Sequence, residues 1–597
     1  MAGPMTTDAS PLLHWTDDGA PRSGRFGDVY FSKDDGLAES RAVFLGGCGL
    51  PDAWAGRWRF TVAELGFGTG LNIAALLELW RAHRPEGGRL HIFSIEGYPL
   101  SRDEAARALS AWPELAEPVA ALLAGWPVGT PGFHRIDLPG FDAVLDLAVG
   151  EAAWVLSQWR GRADAWFLDG FSPALNPGMW SPEVLDGVAA RSAPGARLAT
   201  FTVAGAVRRG LAERGFVVEK RPGHGRKRER LEARLPGEGG GGHTPRVVIV
   251  GAGIVGAATA RALVALGVRP TVVEADRPGA GGSGFPAALV TPRLDAGDAG
   301  IAGLYAQALE RAGHLYDATP DAVIARGVLQ LAHAERDPVR FGKIAAQTLW
   351  PDSAMSVADI DAAGERAGEP QTTGGLMMAG ARVVHPAAAL KHWLEGVEVR
   401  TARVARIERA SDGWRLIDAD GAVMAEADVV VIAGGWGAAA LLDDTSRRLP
   451  LSPVRGQADW SRAATVQGTA WGGYAAPTAE GGLLFGATHD RGDVSTEPRD
   501  ADSTRNLAAL RARLPQLAGR IEGEGDLQRR AAVRATTPDR LPIAGEVEAG
   551  LHVLTGLGSR GFCVAPLLGE HLAALITDTP SPLADDLAGR VAPDRFV

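Results

Sequence analysis

Two glycine-rich turns set the chemistry open to this chain of 597 residues. The sharper is Gly251-Ala252-Gly253-Ile254-Val255-Gly256. An apolar, β-branched run, Val247–Val250, leads into it, and a helical pattern leads out. A second apolar run at 271–273 then ends on Glu274. Gly251 permits the tight turn, Gly253 lets backbone approach a pyrophosphate, and Gly256 lets helix pack on strand. The helix N-terminus adds free N–H groups and the positive end of its dipole. Glu274 is placed to accept hydrogen bonds from a ribose 2′-hydroxyl. Strand, turn, helix, strand and acid together predict a dinucleotide site. Such a unit usually opens a domain, so everything before Arg246 needs its own explanation.

The earlier turn is Gly66, Gly68 and Gly70, after a predicted strand at 61–65 with Glu64 near its end. Ile73, Leu76, Leu77 and Trp80 follow at helical spacing. Residues 90–96 read as a further apolar strand ending on Glu96. Alone, this motif fits an NAD site as well as any other nucleotide. Its Glu-x-Gly-x-Gly-x-Gly form resembles the first motif of S-adenosylmethionine-dependent methyltransferases. That resemblance places Glu64 at the cofactor, and assigns the glycines to the methionine part of the ligand and Glu96 to its ribose hydroxyls. Residues 141–151 give another strand and an acid-bearing turn, where the same resemblance makes Glu151 the candidate for the adenine amino group. In 164–180, a strand at 165–168 carries Asp169 at its carboxyl end, the ligand edge of an open parallel sheet. Pro173 and Pro177 forbid a continuous helix beyond it. A rigid loop with Phe171 and Trp180 at its ends suits a flat, base-like substrate. An ordinary proline-rich connector fits the same residues equally well.

The elements that must position these groups follow from pattern. Strands at 197–203 and 216–219 complete the first half. Residues 220–234 hold seven Lys or Arg, including Arg226, Lys227 and Arg228, against Glu229 and Glu232. That stretch is either a solvated face or a contact for a phosphate backbone. Glycines at 237–245 predict a flexible linker. The expected boundaries are thus 1–236, a linker at 237–245, and 246–597. In the second half, Ser283 sits in a glycine-rich segment near the cofactor, and 299–350 read as mostly helical. Strand patterns at 374–386 and 398–432 predict a substrate-covering lobe that splits the cofactor domain. Near the C-terminus, Gly556, Ser559, Arg560 and Gly561 open onto another helix. A second helix N-terminus favours negative charge on a reduced flavin. An NAD enzyme needs no such late return, so the pattern favours FAD.

The composition bounds the rest. The chain is 46% hydrophobic with 78 glycines, which argues against disorder. Two cysteines exclude a disulfide framework or a Cys-rich metal site. No basic, apolar leader opens the sequence and no apolar run reaches bilayer length, so a cytoplasmic protein without membrane or metal is expected. A formal charge of −10 gives no global attraction for nucleic acid, so any polyanion site is a local patch.

The segments TVAELGFGTGLN, AWFLDGFSPALNPGMW, ATFTVAGAVRRGL and GRKRERL, with VVIVGAGIVGAATA, PVRGQ, TPDRLPIAG and GLGSRGFCVAPL, together resemble the bifunctional tRNA 5-methylaminomethyl-2-thiouridine biosynthesis family (MnmC). The resemblance runs nearly end to end. It implies an α/β chain: a Rossmann-like methyltransferase domain, then an FAD-binding Rossmann domain with an inserted α+β substrate lobe, related to glycine and D-amino-acid oxidases. It implies FAD and S-adenosylmethionine as cofactors, tRNA as partner, and a monomer. The flavin half would trim 5-carboxymethylaminomethyl-uridine to the aminomethyl form, and the methyltransferase half would methylate the new amine. Arg534, in an Arg-x-x-Thr-x-Asp context, would hold the substrate carboxylate, and Asp169 would position and deprotonate the amine. Phe171 and Trp180 would stack on the uracil, and residues 220–234 would hold phosphates. The alternative is a fused amine oxidase and small-molecule N-methyltransferase that does not act on RNA.

Overall fold

The computed structural model describes residues 11–596 except 18, 32–34, 127–129, 226, 240–243, 352, 443–447, 463 and 523–526. The chain forms two compact units. The first holds the residues up to Thr244 with Ala265–Gly267 and Thr577–Asp585; the second holds the remainder. Part of the expected linker, 240–243, lies outside the described residues.

The first unit is built on an eight-stranded sheet. Five central strands run parallel in the order Ala143–Val149, Arg89–Glu96, Arg59–Leu65, Ala163–Leu168 and Ser192–Thr200. Helices cover them, so strand residues such as Val62, Ala63, Phe93 and Phe167 are buried on both faces. This is why these strands read as apolar runs rather than alternations. From Arg59–Leu65 the chain moves to one side for Arg89–Glu96 and later to the other for Ala163–Leu168. The strand order therefore reverses at the first glycine turn, which opens a crevice at the carboxyl ends. Helix Leu71–His83 leaves that turn and buries Ile73, Leu76, Leu77 and Trp80. Trp80 meets Trp54 edge to face, with ring centroids 5.0 Å apart.

The basic stretch is not a linker face. Val217–Pro222 and Glu229–Arg234 form an antiparallel hairpin on the sheet edge. Lys220 pairs with Glu229 at 2.7 Å, Arg230 with Glu232 at 2.6 Å, and Arg221 with Glu219 at 2.5 Å. Leu231 and Ala233 alternate inward between the charged positions, a period-two signal that the charge run conceals.

The second unit carries a six-stranded sheet ordered Glu398–Thr401, Thr271–Glu274, Val247–Val250, Val429–Ile432, Leu551–Thr555 and Ile543–Glu548, parallel except for the last strand. A mixed ten-stranded sheet forms the inserted lobe. The expectation of helix through 299–350 needs correction. Ala299–Asp317 and Asp337–Ala345 are helices, but Val323–Leu331 is a strand of the lobe. Helix Ile254–Ala265 leaves the dinucleotide turn, and the late helix Gly561–Thr577 packs on it through Gly569. A Cβ on Gly569 would sit 3.0 Å from the backbone of Ala258 and Thr259. On Gly256 it would sit 1.8 Å from the Gly251 carbonyl oxygen. Gly256→Ala is therefore expected to destabilise the second unit by about 3 kcal/mol or more. A thermal melt that separates the two units' transitions checks this; the first unit's transition stays in place.

Candidate functional site

A cavity of about 710 Å³ opens at the carboxyl ends of the first unit's central strands. Gly66, Gly68, Glu96, Glu151, Asp169 and Phe171 all line it. The turn that shapes it is conformationally demanding. Gly66 has φ +89°, and a Cβ there would stand 2.2 Å from the Asp169 carbonyl oxygen. Glu96 clamps the turn: one carboxylate oxygen accepts from Gly68 N–H at 2.9 Å, the other from Tyr98 N–H at 2.8 Å. A carboxylate offers about four lone-pair sites, so hydroxyl groups of a ligand still find acceptors there. Burial holds this carboxyl above its ordinary range.

Asp169 ends strand Ala163–Leu168 beside the turn. Its Oδ2 accepts from Asn72 Nδ2 at 2.7 Å. The same nitrogen donates to Glu64 Oε1 at 3.0 Å, and Ser94 Oγ donates to Glu64 Oε2 at 2.6 Å. Burial raises the Asp169 carboxyl to about 7, against the opposing pull of Asn72 and Lys227. Burial raises Glu64 to about 8. Asn72, the second residue of helix Leu71–His83, is thus the link between the two acids. The motif contains it, yet only the fold reveals its bonds.

Three expectations are corrected. Glu64 is fully buried behind the glycine turn and does not line the cavity; it holds Asn72. Gly70, with φ +82°, caps helix Leu71–His83 beneath the rings of Phe67 and Trp126 and is also outside the lining. Trp180 is buried, and its indole N–H donates to the Phe171 carbonyl at 2.9 Å. It staples the proline-rich loop and cannot stack on a ligand.

Phe171 does line the cavity, packed against Phe26 at 5.1 Å and Tyr30 at 5.3 Å between centroids. Those partners come from the N-terminal segment, remote in sequence from Phe171. Asp28 joins the same wall by accepting from Ser172 N–H at 3.1 Å. Lys227 reaches the cavity from the hairpin, paired with Glu39 at 2.7 Å and 4.1 Å from the Phe201 ring centroid. Arg228 is exposed and outside the lining, and Arg226 lies outside the described residues.

The second unit repeats the logic. Gly251 has φ +110°, and a Cβ there would meet the Ala433 carbonyl at 2.7 Å. Glu274 accepts from Ala252 N–H at 2.7 Å and from Asp276 N–H at 3.1 Å. Ser283 Oγ accepts from Ile254 N–H at 3.0 Å and lies 3.2 Å from where a Cβ on Gly253 would be. Gly556 has φ +75°. Gly561 faces Ile254 Cγ2 at 3.6 Å, so two helix N-termini converge. Arg560 donates to Thr291 Oγ1, and Ser559 is exposed. In the lobe, Arg534 lies over Gly456, where a Cβ would stand 2.3 Å from Nη1. Burial lowers this guanidinium's pKa; the nearby Tyr474 phenol opposes that shift.

Among the described residues, no group of three or more His, Cys, Asp or Glu is placed to hold a metal ion. Nor, among them, is any helix long and apolar enough to cross a membrane.

A nucleotide-sized cavity beside a strand-end aspartate, with a separate dinucleotide turn and inserted lobe, defines a methyltransferase fused to a flavin oxidoreductase. Residues 246–575 match the family model for FAD dependent oxidoreductases, and 113–236 that for an S-adenosyl-L-methionine-dependent methyltransferase. The iminodiacetate oxidase of Chelativorans sp. BNC1 shares the fold of the second half (TM-score 0.50, 23% identity, 58% of this chain and 99% of that one). The bifunctional tRNA 5-methylaminomethyl-2-thiouridine biosynthesis protein MnmC of Caulobacter vibrioides is 58% identical over 99% of this chain and 98% of its own. That of Maricaulis maris is 43% identical over 98% and 96%. The chain belongs to this MnmC family. It is a bifunctional enzyme that uses FAD and S-adenosylmethionine. The geometry fits both groups: each turn is bare of side chains where a nucleotide must approach, and each ends at a helix N-terminus.

The Asn72 bond favours the charged form of Asp169. Asn72→Leu is expected to slow methyl transfer about tenfold and to move the alkaline-rising limb of its pH profile above the wild-type midpoint near 7. Steady-state rates from pH 5.5 to 9 check it.

Proposed function

We propose that this chain converts 5-carboxymethylaminomethyl-(2-thio)uridine at the wobble position of tRNA to the aminomethyl form and then to 5-methylaminomethyl-(2-thio)uridine. The observation that supports this reading is Asp169, its carboxyl raised by burial, on the wall of the first unit's cavity, together with an Arg534 in the second unit that has no ion pair among the described residues. The end-to-end identity to proteins of that name supports it. The first half would span 1–236 and the second 246–597. The enzyme would work in the cytoplasm as a monomer, without a metal ion.

FAD supplies a two-electron acceptor and S-adenosylmethionine an electrophilic methyl group. Gly251, Gly253 and Gly256 would admit the FAD pyrophosphate, and Glu274 would take the ribose. Ser283, Gly556, Ser559, Arg560 and Gly561 would close on the rest of the cofactor. Arg534 clasps the carboxylate of the substrate's glycine-like arm through paired N–H groups, with Tyr474 beside it. The arm's methylene carbon gives up a hydride, water adds to the resulting C=N bond, and glyoxylate leaves, so a primary amine remains on the base. In the first unit, Gly66 and Gly68 would admit the methionine part of the second cofactor, with Glu96 on its ribose and Glu151 at its adenine. Phe171 stacks on the uracil, as aromatic side chains do on unpaired bases. The amine arrives as an ammonium of pKa about 10 and is not nucleophilic until it loses a proton. Asp169 would take that proton, leaving the nitrogen lone pair free to accept the methyl group as the sulfonium S–CH3 bond breaks and a neutral thioether leaves.

Incubation with hypomodified tRNA, with and without S-adenosylmethionine, followed by nucleoside mass spectrometry, tests the reading. Unchanged carboxymethylaminomethyl-uridine in both arms would sink it. Asp169→Asn is expected to stop at the aminomethyl nucleoside, with methyl transfer down about 10²- to 10⁴-fold and oxidation intact. Arg534→Gln is expected to keep its flavin yet lose about 10- to 100-fold in kcat/KM for oxidation, the worth of a charge-assisted pair at about 1.5–3 kcal/mol.

A further inference from the structure

In the hairpin that the sequence offered for phosphate binding, Lys220, Arg221, Lys227 and Arg230 each pair with a glutamate. A second set of cations lies near His489 together with Arg534.

Strand Ser452–Ser461 of the lobe pairs with Asp490–Arg491 and with Gln528–Thr536. Val454 is the direct partner of Arg491 and of Arg534. Directly opposed residues of antiparallel strands project from the same face. Arg491 and Arg534 therefore share a face with Val454 between them, with their Cα atoms about 10 Å apart. Arg534 extends over Gly456, two residues along that same face. The opposite face is saturated: Arg455 pairs with Asp502 at 2.5 Å, and Asp490 is taken by Arg505 at 2.9 Å. Asp493 is taken by Arg499 at 2.7 Å.

Arg540 stands just beyond the same strand. It holds φ +61°, a left-handed conformation rare for a residue with a side chain. Asp539 fixes it by accepting from Thr537 Oγ1 and Leu541 N–H, both at 2.9 Å. Arg595 pairs with that same carboxylate at 2.9 Å, which leaves Arg540 without it. His489 feels Arg534, Arg491 and Arg540 together, and with burial they hold its imidazole below the ordinary range. Arg491 and Arg540 are exposed, and neither has an ion pair among the described residues.

We infer that Arg491 and Arg540 form a phosphate-binding rim of the oxidoreductase site, gripping the tRNA backbone beside the nucleotide whose carboxylate Arg534 holds. This rests on the tRNA reading above. A free amino acid needs one cation for its carboxylate, and buried Arg534 supplies it. A nucleotide within a chain also brings its phosphodiesters, which need exposed cations at the mouth. In a protein of formal charge −10, unpaired arginines fixed at one mouth are the local patch that polyanion binding requires.

The test is full-length, FAD-loaded Arg491→Gln/Arg540→Gln, assayed for oxidation of hypomodified tRNA across a salt series. KM for tRNA is expected to rise several-fold, and the slope of log Kd against log salt to fall by about 1 to 2. The kcat at saturating tRNA and the flavin absorbance stay at wild-type values. Arg491→Lys/Arg540→Lys restores most of the binding, because a phosphate accepts a point charge. Unchanged KM and salt slope overturn the inference, and so does a loss of kcat at unchanged KM. Each single variant, read the same way, decides the matter if the double variant loses flavin. Wild-type protein that neither binds nor oxidises tRNA defeats the tRNA reading itself, a different result from a wild-type-like variant.

Discussion

In both units the architecture depends on a carboxylate at the end of the second parallel strand, tied to a glycine-rich turn. Glu96 takes the N–H of Gly68 and of Tyr98; Glu274 takes the N–H of Ala252 and of Asp276. A turn that must admit a nucleotide cannot be filled by side chains, so packing cannot hold it. Its own inward N–H groups can, given an ionised acceptor, at about 1.5–3 kcal/mol for each charged bond. The acid fixes the turn, the turn sets where the helix begins, and the helix N-terminus faces the ligand. In each case one donor comes from the turn and one from the residue two beyond the acid, so the clamp also orders the chain leaving the strand. Its remaining lone pairs can serve ribose hydroxyls without releasing the turn.

This coupling explains what the sequence made legible. The glycine turns, their flanking strands and the acids are local in sequence, and each has one residue type that physics allows. Gly251 at φ +110° against the Ala433 carbonyl admits nothing else. Asp169 was legible because strand ends in parallel sheets face ligands. Glu64 misled for the same reason. It also sits near a strand end, but two register positions before Asp169, inside the strand, where Ser94 and Asn72 satisfy it. Trp180 misled because an aromatic at a loop end fits a stacking platform and a staple equally well; its indole N–H decides, and that partner is visible only in the fold. The wall made by Phe26 and Tyr30 is remote in sequence from Phe171, and no periodicity announces such a meeting. The edge hairpin was hidden because charge dominates its composition while only Leu231 and Ala233 face inward.

The two groups assigned to chemistry share a second feature. Asp169 is held by the neutral amide of Asn72, and Arg534 lies beside the neutral phenol of Tyr474. Neither has an ion pair among the described residues. Two buried arginines elsewhere in the second unit are ion-paired: Arg311 meets Glu570 at 2.6 Å, and Arg455 meets Asp502 at 2.5 Å. A buried pair of that kind has spent its attraction inside the fold, and removing one partner leaves an uncompensated charge. A half-buried charge with no ion pair is different. Its desolvation is not compensated until a ligand of opposite charge arrives, so the fold bears a cost that the substrate relieves. In the proposed roles, an ammonium would relieve it at Asp169 and a carboxylate at Arg534. Charge would then order the two steps: Arg534 would hold the carboxylate that oxidation removes, and Asp169 would meet the amine that oxidation leaves.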